Sequence, residues 1–196
     1  MKKRNMGKKY IRIVGGQYRR TPIEVLDIAG LRPTPDRVRE TLFNWLAHFW
    51  EGDLAGRKVL DLFAGSGALG FEAASRGAAH VQMVERDPKA VAAIRALRDK
   101  LDARAVRILQ SDALASLERF DEPAFDLIFL DPPFNAEWLP KLWDRLPGLM
   151  ATDGLVYVES EAPLMPEAPF TLLRQGKAGA VHFHLLRICC NAQKGQ

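Results

Sequence analysis

The stretch VLDLFAGSGALG, residues 59–70, sets a short apolar run directly against a turn of glycines and then a helix-forming segment. An apolar run that does not alternate with polar residues suits a strand buried on both faces of a parallel sheet. Gly65-Ser66-Gly67-Ala68-Leu69-Gly70 has the spacing G-x-G-x-x-G. Between a strand and a helix, such glycines let the backbone close on a ligand and let the helix pack onto the strand. The same alternation continues outward. Gly77 ends the helix, HVQMVERD (80–87) reads as a second strand, and Asp87-Pro88 opens the helix PKAVAAIRALRDKLD. VRILQSDA (106–113), FDLIFLDPPF (125–134) and GLVYVES (154–160) supply three more strands, with the helix EWLPKLWDRL between the last two. FTLLRQGKAGAVHFHLLRIC (170–189) reads as two strands around a glycine-containing turn. The expected fold is α/β: a doubly wound, Rossmann-like, seven-stranded and mostly parallel sheet, mixed at the edge that carries the closing hairpin.

Upstream of this core, YIRIVGGQYRRTPIEV (10–25) alternates Ile11 and Ile13 with Arg12, and Gly15-Gly16 can supply the positive φ values of a hairpin turn. In LRPTPDRVRETLFNWLAHFW (31–50), Thr34 is placed to cap a helix with Pro35 at its first position. Val38, Leu42, Trp45, Leu46 and Phe49 share one helical face and are assigned to the core. The expected division is therefore a basic arm and hairpin over 1–34 and a main domain over 35–196.

Charge follows this division. Residues 1–40 hold eleven Lys/Arg and four Asp/Glu, net +7, whereas 41–196 hold 17 and 20, net −3. A basic head on a mildly acidic body is the electrostatic footprint of a polyanion-binding arm. No apolar run approaches the roughly 20 residues that span a bilayer, and MKKRNMGKKY is no secretory leader, so a cytoplasmic location is expected. Cys189 and Cys190 are adjacent, which offers neither a disulfide framework nor a CxxC metal site; they read as an alternating pair on the last strand. His48, His80, His182 and His184 are scattered, and no metal is expected; the HFHL pair reads as same-face strand residues.

Several acids are placed at the carboxyl ends of the strands. Glu85, about twenty residues beyond the glycines, suits two ribose hydroxyls, which fits a nicotinamide dinucleotide and an adenosyl cofactor alike. Asp61 and Asp112 separate the two, because a carboxylate at the glycine turn repels a pyrophosphate but accepts from an ammonium or an adenine amino group. Asp112 could also simply cap a following helix. Asp131-Pro132-Pro133-Phe134 ends its strand with a stiff elbow, an acceptor and an aromatic face. Such a group can hold an exocyclic amine, orient its lone pair and stack the base that bears it.

The spacing of Asp61-Leu62-Phe63-Ala64-Gly65-Ser66-Gly67, Glu85, Asp112 and Asp131-Pro132-Pro133-Phe134 resembles the class I S-adenosylmethionine-dependent methyltransferases that act on planar amino groups. The segments IRIVGGQYRRTPIEV and LRPTPDRVRETLFNWL are similar to the N-terminal signature of the RsmD family, bacterial 16S rRNA guanine-N2 methyltransferases. One departure is Arg20-Thr21, where a further basic residue or a glycine is more usual. The resemblance implies S-adenosylmethionine as cofactor, held by Asp61, Phe63, Gly65, Ser66, Gly67, Glu85, Arg86, Asp112 and Ala113. It implies Asp131, Pro132, Pro133 and Phe134 as the catalytic group, acting on N2 of a guanine in 16S rRNA, guanine 966 in the family. It further implies a monomer whose substrate is 16S rRNA, within a small-subunit assembly particle, with Arg12, Arg19, Arg20, Arg32, Arg37 and Arg39 on the RNA. An adenine-N6 methyltransferase on DNA or RNA, a nicotinamide oxidoreductase and a non-catalytic RNA-binding relative are the competing expectations.

Overall fold

A computed structural model of the chain describes residues 9–28, 34–52, 54–120, 124–133 and 138–189. Its centre is a seven-stranded sheet. Strands β3 (Lys58–Asp61), β4 (His80–Glu85), β5 (Val106–Gln110), β6 (Phe125–Leu130) and β7 (Met150–Ser160) pair in parallel in the order β5-β4-β3-β6-β7. The hairpin of β8 (Phe170–Ala178) and β9 (Val181–Ile188) adds antiparallel to β7, giving β7-β9-β8 at that edge. The order reverses direction between β3 and β6, the switch point beside which doubly wound sheets bind their ligands.

Both faces of the sheet are covered, which is why Leu127–Leu130 of β6 reads as unbroken apolar sequence. Leu127 and Phe129 join one core cluster with Val38, Leu42, Phe43 and Leu46 of α1 (Asp36–Phe49), Phe71 of α2 (Ala68–Ser75) and Ile94 of α3 (Pro88–Leu101). Ile128 and Leu130 join the other, with Leu117 of α4 (Ala113–Leu117) and Leu142 of α5 (Trp138–Trp143). Asp87 caps α3 by accepting from the backbone N–H of Lys89 and Ala90, with Pro88 at the first helical position, as its sequence signals require. Gly77, at φ +95°, ends α2.

The basic segment forms β1 (Lys9–Arg12) and β2 (Pro22–Val25), a separate two-stranded antiparallel sheet. It is joined by a nine-residue loop rather than a tight turn at the glycine pair. Gly16 has φ +73° and Arg20 φ +71°, so an arginine occupies a left-handed position that glycine fits more easily. Ile13 and Ile23 are buried in the main core, which fastens the hairpin to the body.

The sequence places Thr34 as a helix cap, and the structure corrects this. Pro35 is the residue before α1, no side chain caps the helix, and the Thr34 hydroxyl is directed at two acids of the main sheet. Cys189 lies exposed just beyond β9, not buried in it, while Cys190 is outside the described residues.

Candidate active site

Four strands, β3, β4, β5 and β6, end at one cleft of about 300 Å³. Of the residues expected to hold a cofactor, Asp61, Phe63, Gly65, Ser66, Glu85, Arg86, Asp112 and Ala113 line it, and Asp131, Pro132 and Pro133 form the wall at β6. Gly67 stands behind the lining at φ +81°, where a Cβ would come within 2.9 Å of the Phe71 ring. The third glycine of the turn, Gly70, lets α2 lie against β4: a Cβ there would collide with Met83 and approach Asp61 Oδ2 to 3.1 Å.

The acids differ in how they are held. Asp61 is buried and accepts from the Gly70 N–H at 3.0 Å; burial, with the Glu85 charge added, raises its carboxyl to about 7. Glu85 accepts from the Gly65 N–H and the Asp87 N–H, each at 2.8 Å, which stiffens the turn from the neighbouring strand. Asp112 lines the cleft and also caps α4 by accepting from the Leu114 N–H. Five acids, Asp61, Glu85, Asp87, Asp112 and Asp131, line the cleft beside Arg86, which suits a ligand bearing positive charge, hydroxyls and amino groups and disfavours a pyrophosphate.

Asp131 opens onto the cleft but is closely surrounded. Thr34 Oγ1 stands 3.3 Å from its Oδ2 and 2.9 Å from Oε1 of Glu159, to which the Tyr157 hydroxyl also donates at 2.9 Å. Burial raises the Asp131 carboxyl well above its ordinary range, and the Glu159 and Asp61 charges raise it further. Sequence inspection misses Thr34, Tyr157 and Glu159. GLVYVES looks like a core strand with a polar end, and only the β6–β7 pairing puts it beside Asp131. Val25, Leu26 and Ile28, following the hairpin, line the cleft as well, as does Trp138, edge-on to Phe63 at 5.3 Å.

A family model described as conserved hypothetical protein 95 matches residues 11–187. The chain is 42% identical to ribosomal RNA small subunit methyltransferase D of Escherichia coli, over 94% of each chain. It is 36% identical to the protein of that name from Haemophilus influenzae, over 89% of this chain and 92% of the relative. It belongs to the RsmD family. A solved structure of the Escherichia coli protein yhhF, described as a methyltransferase, superposes with a TM-score of 0.81 at 38% identity, covering 92% of this chain and 99% of that one. The methylase HI0767 of Haemophilus influenzae superposes at 0.75 and 31% identity, with 92% and 99% covered.

In this RsmD-family chain the arginines assigned to RNA separate into groups. Arg12, Arg19 and Arg20 are exposed on the hairpin, and Arg37 is exposed on α1. Arg39 corrects the expectation: it is fully buried, bonded to Asp36 at 2.6 Å and ion-paired with buried Glu72 at 3.5 Å, so it is no phosphate ligand. Two residues beyond exposed Arg37, about 200° around α1, it points into the core. Arg32 and Phe134 lie outside the described residues. His182 and His184 stack on one face of β9, and His184 Nε2 accepts from the Leu164 N–H at 3.1 Å, a structural role. Among the described residues no helix is long and apolar enough to cross a membrane.

Proposed function

We propose that this chain is an S-adenosylmethionine-dependent methyltransferase acting on the exocyclic N2 of a guanine in 16S rRNA, by family resemblance guanine 966. The coarser part, methylation of ribosomal RNA, rests on the 42% identity to ribosomal RNA small subunit methyltransferase D. The choice of guanine N2 rests on the resemblance of the N-terminal segments, and transfer to a planar amine on one observation: Asp131-Pro132-Pro133 stands in the same cleft as Asp61 and Glu85.

S-adenosylmethionine supplies, when bound, a methyl group on a positively charged sulfur. Asp61 suits its ammonium group, Glu85 its ribose hydroxyls and Asp112 its adenine amino group, with the glycine turn allowing close backbone approach. The remaining work falls to the chain. An amine on a purine ring is a weak nucleophile because its lone pair is delocalised. Asp131 and the Pro132 carbonyl, accepting from that amine, favour a pyramidal nitrogen with a localised pair. Two consecutive prolines hold these acceptors in place. By the family resemblance Phe134 would stack on the base, a contact worth about 1–3 kcal/mol. The target must leave its stack to reach the cleft, and the exposed arginines of the hairpin hold the flanking RNA while it does.

The test is methyl transfer from labelled cofactor to free 16S rRNA and, separately, to small-subunit particles, followed by nucleoside digestion. N2-methylguanosine is expected. N6-methyladenosine would move the activity to the adenine class, and label in neither RNA would remove the enzyme reading. The two substrates together decide which form of the RNA the enzyme takes.

A further inference from the structure

Thr34, Tyr157 and Glu159 are polar, packed into the protein and unused by the orientation mechanism above. Thr34 and Glu159 are each 4% exposed and Tyr157 is fully buried. Thr34 carries one hydroxyl proton and faces two carboxylates, so it can donate to only one of them. Glu159, at 2.9 Å, is the nearer. The 3.3 Å approach of Asp131 Oδ2 then sets lone pairs against each other unless Asp131 holds a proton and donates it to Thr34 Oγ1. The surroundings place the proton there. Burial favours the neutral form of Asp131, and so do the charges of Glu159 from β7 and Asp61 from β3. Glu159 instead receives two hydroxyl donors, from Tyr157 and Thr34, which favour its ionised form against the cost of burial. Among the described residues no lysine or arginine is ion-paired with any of these acids.

Resting on the methyl-transfer reading above, we propose that Glu159 is the terminal proton acceptor of the reaction, reached from the substrate amine through Asp131 and Thr34. As the amine nitrogen bonds the methyl carbon, with the carbon–sulfur pair leaving on sulfur, the nitrogen becomes cationic and must lose a proton. One N–H bond breaks, its electron pair stays on nitrogen and its proton goes to Asp131 Oδ1. The proton on Asp131 Oδ2 passes to Thr34 Oγ1, and the Thr34 proton passes to Glu159 Oε1. Asp131 and Thr34 finish neutral as they began, Glu159 finishes neutral instead of anionic, and the methylated base carries no charge. Glu159 touches neither substrate nor cofactor and is a positioning residue in that sense; it keeps Asp131 protonated on the oxygen away from the amine. The Thr34 link also ties the relay to the segment that leads from the RNA-binding hairpin into α1.

The pH dependence of kcat and the infrared carboxyl spectrum of the unliganded protein test this. Wild type is expected to show a bell-shaped profile, its acid limb from protonation of Glu159 and its alkaline limb from ionisation of Asp131. Glu159→Gln should lower kcat by roughly 100-fold, leave the RNA KM within about threefold and remove the acid limb. Thr34→Val should match it, while Thr34→Ser, which restores the hydroxyl, should recover most of the rate. In unliganded Asp61→Asn, which removes the other carboxyl raised to about 7, a protonated carboxyl band should be present at neutral pH, absent once Asp131→Asn is added, and lost at lower pH once Glu159→Gln is added. Wild-type rate and pH profile in Glu159→Gln would overturn the proposal, as would equal rates in Thr34→Val and Thr34→Ser. Should Glu159→Gln fail to fold, the Thr34 pair decides. A wild-type enzyme inactive on every RNA would overturn the methyl-transfer reading instead, and the infrared titration would still judge the shared proton by itself.

Discussion

Asp131 and Asp61 lie at the ends of neighbouring strands and share a cleft, yet their jobs differ because their partners do. Asp131→Ala should reduce methyl transfer by at least about 100-fold with cofactor affinity nearly unchanged, since the lost acceptor acts on the nucleophile. Single-turnover rates and calorimetric cofactor binding check this; activity within about tenfold of wild type would be too high for such a group. Asp61 makes a claim about stability. Its carboxyl is raised to about 7 in the fold, against an ordinary value near 3.9 when unfolded. Its contribution is therefore fully present below the unfolded value and is lost as pH rises through about 7, a span worth up to about 4 kcal/mol. Asp61→Asn cannot titrate. Urea midpoints at pH 5 and pH 8 should show the variant gaining on wild type as pH rises, and a gap that stays constant would mean Asp61 ionises freely.

At the scale of elements, the hairpin loop is held to α2 by one buried acid. Glu72 accepts from the Val14 N–H at 2.7 Å and the Gly15 N–H at 2.8 Å, and pairs with Arg39 and with Arg76. Ser75 adds to the contact, accepting from the Gln17 N–H through its carbonyl and from the Tyr18 N–H through its hydroxyl. Gly16 fits here because it has no Cβ, which would strike the Ser75 carbonyl. Glu72→Ala strands two backbone donors and removes an anion from a buried arginine, a loss on the order of 3–5 kcal/mol. The expected result is a lower urea midpoint, faster proteolysis within residues 13–21 and weaker RNA binding, although Glu72 is itself buried. Unchanged proteolysis would mean that Ile13 and Ile23 alone hold the hairpin.

For the whole molecule, the cleft and the basic hairpin are coupled by chain continuity, since Val25, Leu26, Ile28 and Thr34 run from one into the other. Replacing Arg19 and Arg20 together by Ala should weaken RNA binding and flatten its salt dependence by about one counterion per lost phosphate contact, leaving cofactor affinity unmoved. RNA affinity at two salt concentrations checks it, and an unchanged slope would return these arginines to a solvated face. The strand order along the chain, the glycine turn, Glu85, Asp112 and the Asp131-Pro132-Pro133 elbow were all legible in the sequence. Each is a local pattern: an apolar run, a glycine spacing, or an acid at a strand end. The partners of Asp131 were not legible, because Thr34 and Glu159 lie 97 residues before it and 28 after it, and only the β6–β7 pairing and the path into α1 bring them together. Arg39 shows the same limit. Two residues on a helix separate the surface cation Arg37 from the buried Arg39, and which is which is set by what α1 packs against. Local sequence thus determined the sheet, its ligand end and the charge of the arm; tertiary packing alone decided which polar groups share a proton and which arginines face the solvent, because burial and hydrogen-bond partners arise only between segments distant in the chain.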